Sequence, residues 1–78
     1  MQGKVEDDRR YTIEAAIVKV MKARRKIEYV NLVAESTKML ASRFNPDPAH
    51  VKQRIEHLME RGYMERDTED KRILKYIA

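Results

Sequence analysis

Apolar residues recur along the chain at two periods, and the change from one to the other divides it. Ile13, Ala16, Ile17, Val20 and Met21 fall at i, i+3, i+4, i+7 and i+8, the spacing of a helix with one buried stripe. Asp8 or Thr12 suits its start as a cap. Residues 1–9 ahead of it are charged and without apolar period, and read as a flexible lead-in to a domain over residues 10–78. The short stretch around Ile27 has room for a turn or a single edge strand. A second helix is predicted over about residues 30–41, with Leu32, Val33, Ser36, Met39 and Leu40 on its buried face and Asn31 near its start.

Two prolines, Pro46 and Pro48, stop that helix and make residues 42–48 a loop, with Phe44 expected to pin it to the core. The third helix is the most fully punctuated: Asp47 as N-cap, Pro48 at the first helical position, Val51, Ile55, Leu58 and Met59 as the core stripe, and Gly62 as C-terminal cap. After Gly62 the period shortens. Residues 63–66 and 73–77 carry the aromatic and β-branched residues of two short strands around a polar turn. The order helix, short edge, helix, helix, hairpin is that of a winged helix-turn-helix: mainly α, with three helices, a short edge strand and a two-stranded wing.

Seventy-eight residues allow one small domain, since a chain of this size buries only about 60% of its unfolded surface. A two-domain enzyme with a cleft is excluded. With 42% hydrophobic and 38% charged residues the chain suits a soluble globular domain. Cysteine is absent, which removes disulfides, thiol nucleophiles and thiolate metal sites, and fits a cytoplasmic or nuclear setting. No apolar run is long enough for a membrane span or a secretory signal core, and two glycines leave no phosphate-binding loop. No cofactor is called for.

Charge is distributed unevenly. Residues 1–26 hold eight basic and four acidic side chains, and residues 27–78 hold nine of each, so the net charge of +4 sits in the first third. Lys19, Lys22, Arg24, Arg25 and Lys26 form a run containing no acid, attractive to an acidic partner and favoured at a helix C-terminus.

Catalytic chemistry finds little support. His50 and His57 lie seven apart on one helix flank, with Glu60 beyond them, a spacing unlike that of a zinc site. The carboxylates cluster at the charged start and at the hairpin tip, away from any water-poor cleft in which their pKa values could separate. Neither Ser36 nor Ser42 has a histidine-acid pair at recognisable spacing.

Nucleic acid is a second reading, because a winged helix can place its third helix in the major groove. His50, Arg54, His57 and Arg61 line one flank of that helix. Gln53, Glu56 and Glu60 opposite the core, and Asp67, Glu69 and Asp70 in the wing, would face phosphates and argue against it. A protein-interaction role fits better.

Lys22 stands apart. It lies about 180° from Ile13 on a helical wheel, opposite the apolar stripe and in solvent, with Val18 one turn earlier as a small exposed apolar contact.

The stretch Ala15-Ala16-Ile17-Val18-Lys19-Val20-Met21-Lys22-Ala23-Arg24-Arg25-Lys26 closely resembles the neddylation motif of cullins, Ile-Val-Arg-Ile-Met-Lys-x-Arg-Lys. Lys19, Val20 and Arg25 replace arginine, isoleucine and lysine, conserving charge or size. Asp8-Arg9-Arg10-Tyr11 resembles the family's lead-in, Leu32-Val33-Ala34-Glu35 its second helix and Ser42-Arg43-Phe44-Asn45-Pro46 its loop. Val51-Lys52-Gln53-Arg54-Ile55-Glu56 is similar to its third helix, and Gly62-Tyr63-Met64-Glu65-Arg66 with the ending Tyr76-Ile77-Ala78 to its wing. Ala78 reads as a natural end and the charged start as a cut.

The resemblance implies the C-terminal winged-helix B domain of a cullin, the scaffold subunit of a cullin-RING ubiquitin ligase. Lys22 is then the isopeptide acceptor of the Nedd-type ubiquitin-like modifier, and the domain a substrate of conjugation with no catalytic residue or metal of its own. Val18, Lys19, Arg24, Arg25 and Lys26 become the expected partner-binding residues. The implied partners are the modifier's conjugating enzyme, a RING-box protein, a Dcn-like co-ligase, a Cand-type exchange factor and the signalosome.

Overall fold

The computed structural model describes residues 2–43 and 45–77. Its elements are α1 (Gln2–Arg24), β1 (Lys26–Glu28), α2 (Tyr29–Leu40), α3 (Pro48–Glu60), β2 (Met64–Arg66) and β3 (Ile73–Tyr76), a winged helix. The three strands form one antiparallel sheet in the order β1-β3-β2, so the expected edge strand is the third member of the wing sheet.

The apolar stripe of α1 is buried at all five positions read from the sequence: Ile13, Ala16, Ile17, Val20 and Met21. It meets Leu32 and Leu40 of α2, Val51, Ile55 and Leu58 of α3, and Ile27, Met64 and Leu74 from the three strands. Each fully buried aliphatic side chain contributes about 1.5–3 kcal/mol, and this single cluster is the fold's driving force. Ser36 is fully buried within it on the inner face of α2, its hydroxyl without a partner among the described residues.

Three expectations are corrected. The helix begins at Gln2, so residues 2–9 are helical in their backbone, and Asp8 and Thr12 lie inside the helix and do not cap it. Periodicity had nothing to report there because residues 2–9 are polar nearly all round. Glutamate, lysine, arginine and glutamine favour helix by propensity alone. Met39 is 41% exposed: α2 buries a narrow stripe at Leu32, Ser36 and Leu40, with Val33 packed at its edge. The contact expected of Phe44 lies outside the described residues.

Helix α3 follows its punctuation. The Asp47 carboxylate accepts the Ala49 N–H at 3.0 Å, with Pro48 in the first turn. At the other end the Gly62 N–H donates to the Met59 carbonyl and the Tyr63 N–H to the Leu58 carbonyl, 3.1 and 3.0 Å. Those two bonds, with Gly62 at φ +84, make a Schellman motif that turns the chain into β2. Helix α2 lacks a side-chain cap: Glu28 precedes it in extended conformation, and the first N–H, of Tyr29, is satisfied by the Arg72 carbonyl across the sheet at 2.7 Å.

Two of the wing's acids, Asp67 and Asp70, are occupied by its turn. Asp67 accepts the Glu69 N–H at 2.8 Å and Asp70 the Arg72 N–H at 3.0 Å, while Arg66 donates to the Lys71 carbonyl at 2.9 Å. Arg66 also lies over the Tyr29 ring, 5.5 Å from its centroid, and 3.4 Å from Glu56 of α3. Burial, reinforced by Glu56, raises the Tyr29 phenol above its ordinary pKa, and Arg66 partly opposes this.

Candidate modification site

Helix α1 packs its buried stripe against α2, α3 and the sheet and leaves its opposite side in water, so Lys22 emerges exposed in the last turn. The helix dipole favours cations there, and Arg24 stands in the same turn. The chain leaves the helix at Arg25, whose φ of +68 is the only positive value among the described non-glycine residues. Its N–H donates to the Met21 carbonyl at 2.7 Å, the single bond of a left-handed helix cap. β1 then begins at Lys26, which pairs with Lys75 of β3.

The basic run separates into free and engaged members. Arg24 donates through Nε and Nη2 to one carboxylate oxygen of Glu35 on α2, at 3.3 and 3.2 Å, and Nη2 lies 3.1 Å from the other oxygen. The Arg25 guanidinium lies over the Tyr76 ring, 5.7 Å from its centroid. Lys26 Nζ is 3.3 Å from Asp67. Lys19 and Lys22 are exposed and make no ion pair among the described residues. Val18 is half-buried and packed against the core, a correction to its expected exposure: 400° of helix rotation from Lys22 brings it to the margin of the stripe.

The sequence reading missed the partners of the run: Glu35, Asp67 and Tyr76. Each lies eleven or more residues from its cation, beyond any helical or hairpin spacing, and only the packing of α1 against α2 and the wing brings them together.

The flank of α3 that supports nucleic-acid binding is arranged differently. Arg54 and Arg61 both reach Glu14 on α1, at 3.1 and 3.4 Å. The Arg54 side chain is only 15% exposed and Glu14 13%. Two of the four flank residues are therefore tied to a carboxylate of the domain itself, and one of them is nearly withdrawn from solvent.

Residues 8–70 match the family model of the cullin protein neddylation domain. The chain belongs to the cullin family. It is 57% identical over 75 residues to Cullin-3 of Caenorhabditis elegans and 53% identical over 77 residues to Cullin-3 of Dictyostelium discoideum. Those alignments cover 96% and 99% of the chain and 10% of each relative, so the chain spans about a tenth of the cullins it resembles. Among solved structures, the winged-helix B domain of Cdc53 with Dcn1, from a study of Rub1 ligation to Cdc53, superposes with a TM-score of 0.89 at 31% identity, over 99% of this chain and 88% of that one. The cullin neddylation domain thus has here the winged-helix architecture expected from its punctuation.

Proposed function

We propose that Lys22 is the acceptor for covalent attachment of the Nedd-type ubiquitin-like modifier, and that the domain serves a cullin scaffold as the substrate of that conjugation. The observation that carries this reading is the state of the amine: Lys22 is exposed at the end of α1 and, like Lys19 one turn earlier, makes no ion pair among the described residues, while Arg24 and Lys26 are bound to carboxylates.

The chemistry is aminolysis of a thioester. The neutral Nζ of Lys22 attacks the carbonyl carbon of the modifier's C-terminal glycine, held as a thioester on its conjugating enzyme. A C–N bond forms, the C–S bond breaks, the enzyme's cysteine leaves as thiolate, and the amine's proton passes to solvent. Aminolysis needs an unprotonated amine, and burial beneath the conjugating enzyme favours that form of a lysine. The cations around it steer acidic partners toward the site. The Dcn1 complex of Cdc53 supports a Dcn-like co-ligase as one such partner, with a RING-box protein, a Cand-type exchange factor and the signalosome acting on the same domain. Attachment then works as a switch, altering how the domain rests against the scaffold and activating the ligase.

The test is reconstituted conjugation with modifier, activating and conjugating enzymes and RING-box partner, read by mass spectrometry on wild type and Lys22→Arg. One modifier on Lys22, abolished by the substitution, is expected. Undiminished modification of the variant would place the acceptor elsewhere.

A further inference from the structure

Three lysines lie within eight residues across the junction of α1 and β1, namely Lys19, Lys22 and Lys26, and exposure alone does not rank them. All three are exposed. What distinguishes them is their relation to the wing, which folds back against the end of the helix.

Arg25, three residues beyond Lys22, closes the last turn through its bond to Met21. Its left-handed backbone is one that a non-glycine residue keeps only where its surroundings hold it. Both ends of Arg25 are held by a single residue of β3: the Tyr76 N–H donates to its carbonyl at 2.8 Å, and the Tyr76 ring lies beneath its guanidinium. Tyr76 is itself fixed, paired in register with Met64 of β2 and packed against the core. Lys26 is engaged by the same hairpin through Asp67, a carboxylate anchored by the Glu69 N–H and 12% exposed. The wing therefore touches the sites on either side of the helix end in opposite ways, ordering the turn that carries Lys22 and tying up the amine of Lys26.

We propose that the wing selects the acceptor, with Tyr76 and Asp67 as positioning residues: Tyr76 fixes Lys22 through the Arg25 cap, and Asp67 withholds Lys26. This rests on the reading of Lys22 as the acceptor. A nucleophile gains rate from being held in an attack geometry, and a cap that frayed would let Lys22 wander while neighbouring amines compete.

The experiment is the same conjugation reaction on the full chain, with the share of modifier on Lys19, Lys22 and Lys26 measured by peptide mass spectrometry. Variants are Tyr76→Ala, Tyr76→Phe and Asp67→Asn. In Asp67→Asn the share on Lys26 is expected to rise about two- to fivefold, the release of one exposed ion pair. Tyr76→Ala is expected to move modifier from Lys22 to Lys19 and Lys26, and Tyr76→Phe, which keeps the ring, to restore the wild-type distribution. A loss of overall rate with the distribution unchanged in both Tyr76→Ala and Asp67→Asn would overturn the proposal, because a purely structural role lowers yield without changing site choice. Should Tyr76→Ala fail to fold, Asp67→Asn decides alone, since it alters only a surface pair and a turn. Wild type modified elsewhere than Lys22 overturns the acceptor assignment and this proposal with it, whereas wild type modified on Lys22 with unmoved variants overturns this proposal only.

Discussion

Asp67 performs three tasks with one carboxylate: it caps the wing turn, pairs with Lys26, and sits near Lys75. The Glu69 N–H, then Lys26, hold it below the ordinary carboxylate range. A carboxylate whose folded pKa is depressed stabilises the fold above its unfolded pKa and loses that contribution as pH falls through the folded value. Asp67→Asn should therefore be less stable than wild type near neutral pH, with the gap closing as pH falls below the ordinary carboxylate range. Urea denaturation midpoints for both proteins across that range provide the check. Asp70 is lowered as well, first by the Arg72 side chain and then by its N–H, so wild type has a second acid-sensitive contribution that the substitution leaves in place.

At the scale of elements, the junctions carry the specificity. Helices α1 and α3 both end on a left-handed residue, but by different means: α3 on Gly62 and α1 on Arg25. An added Cβ at Gly62 meets no atom within 4 Å, so Gly62→Ala should cost only the backbone penalty of the left-handed region, about 1–2 kcal/mol, with no repacking. Thermal or urea unfolding measures it, and a much larger loss would indicate a contact that the structure does not contain. Arg25 accepts that penalty beside the candidate acceptor, where tertiary contacts hold it. The outer face of the sheet sets Lys26 directly opposite Lys75. Like charges so placed are unfavourable, and Asp67 and Glu65, 3.3 and 3.9 Å away, offset them.

For the whole molecule, the ion pairs of Glu14 link the first helix to the third across some forty residues of chain. Arg54 is almost covered, and its Nε is buried without a partner among the described residues, so Glu14 supplies the compensating charge for its guanidinium. Glu14→Gln should lower stability by about 1–3 kcal/mol by leaving that charge uncompensated. Adding Arg54→Met should recover part of the loss, and a double-mutant cycle by urea unfolding separates the coupling. A small domain has only about 5–15 kcal/mol in all, so this link is a substantial fraction. It also bears on function, because it ties two cations of the face that a DNA-binding winged helix would present to a carboxylate of the domain itself and nearly covers one of them.

The sequence by itself determined the elements and the family. Ile13 to Met21 announced α1's buried face and Asp47, Pro48 and Gly62 bracketed α3, because each of these is a local pattern of spacing or backbone preference, while the residues around Lys22 carried the cullin resemblance by their identities. Only the tertiary structure decided what the basic run does. Glu35, Tyr76 and Asp67 meet Arg24, Arg25 and Lys26 because helices and wing close on one core, and charge pairing across such distances leaves no period in the chain. The same holds at the start of α1, where a helix without a buried face has no stripe to read, and at Val18, which a small rotation about the helix axis moves from solvent to the margin of the core.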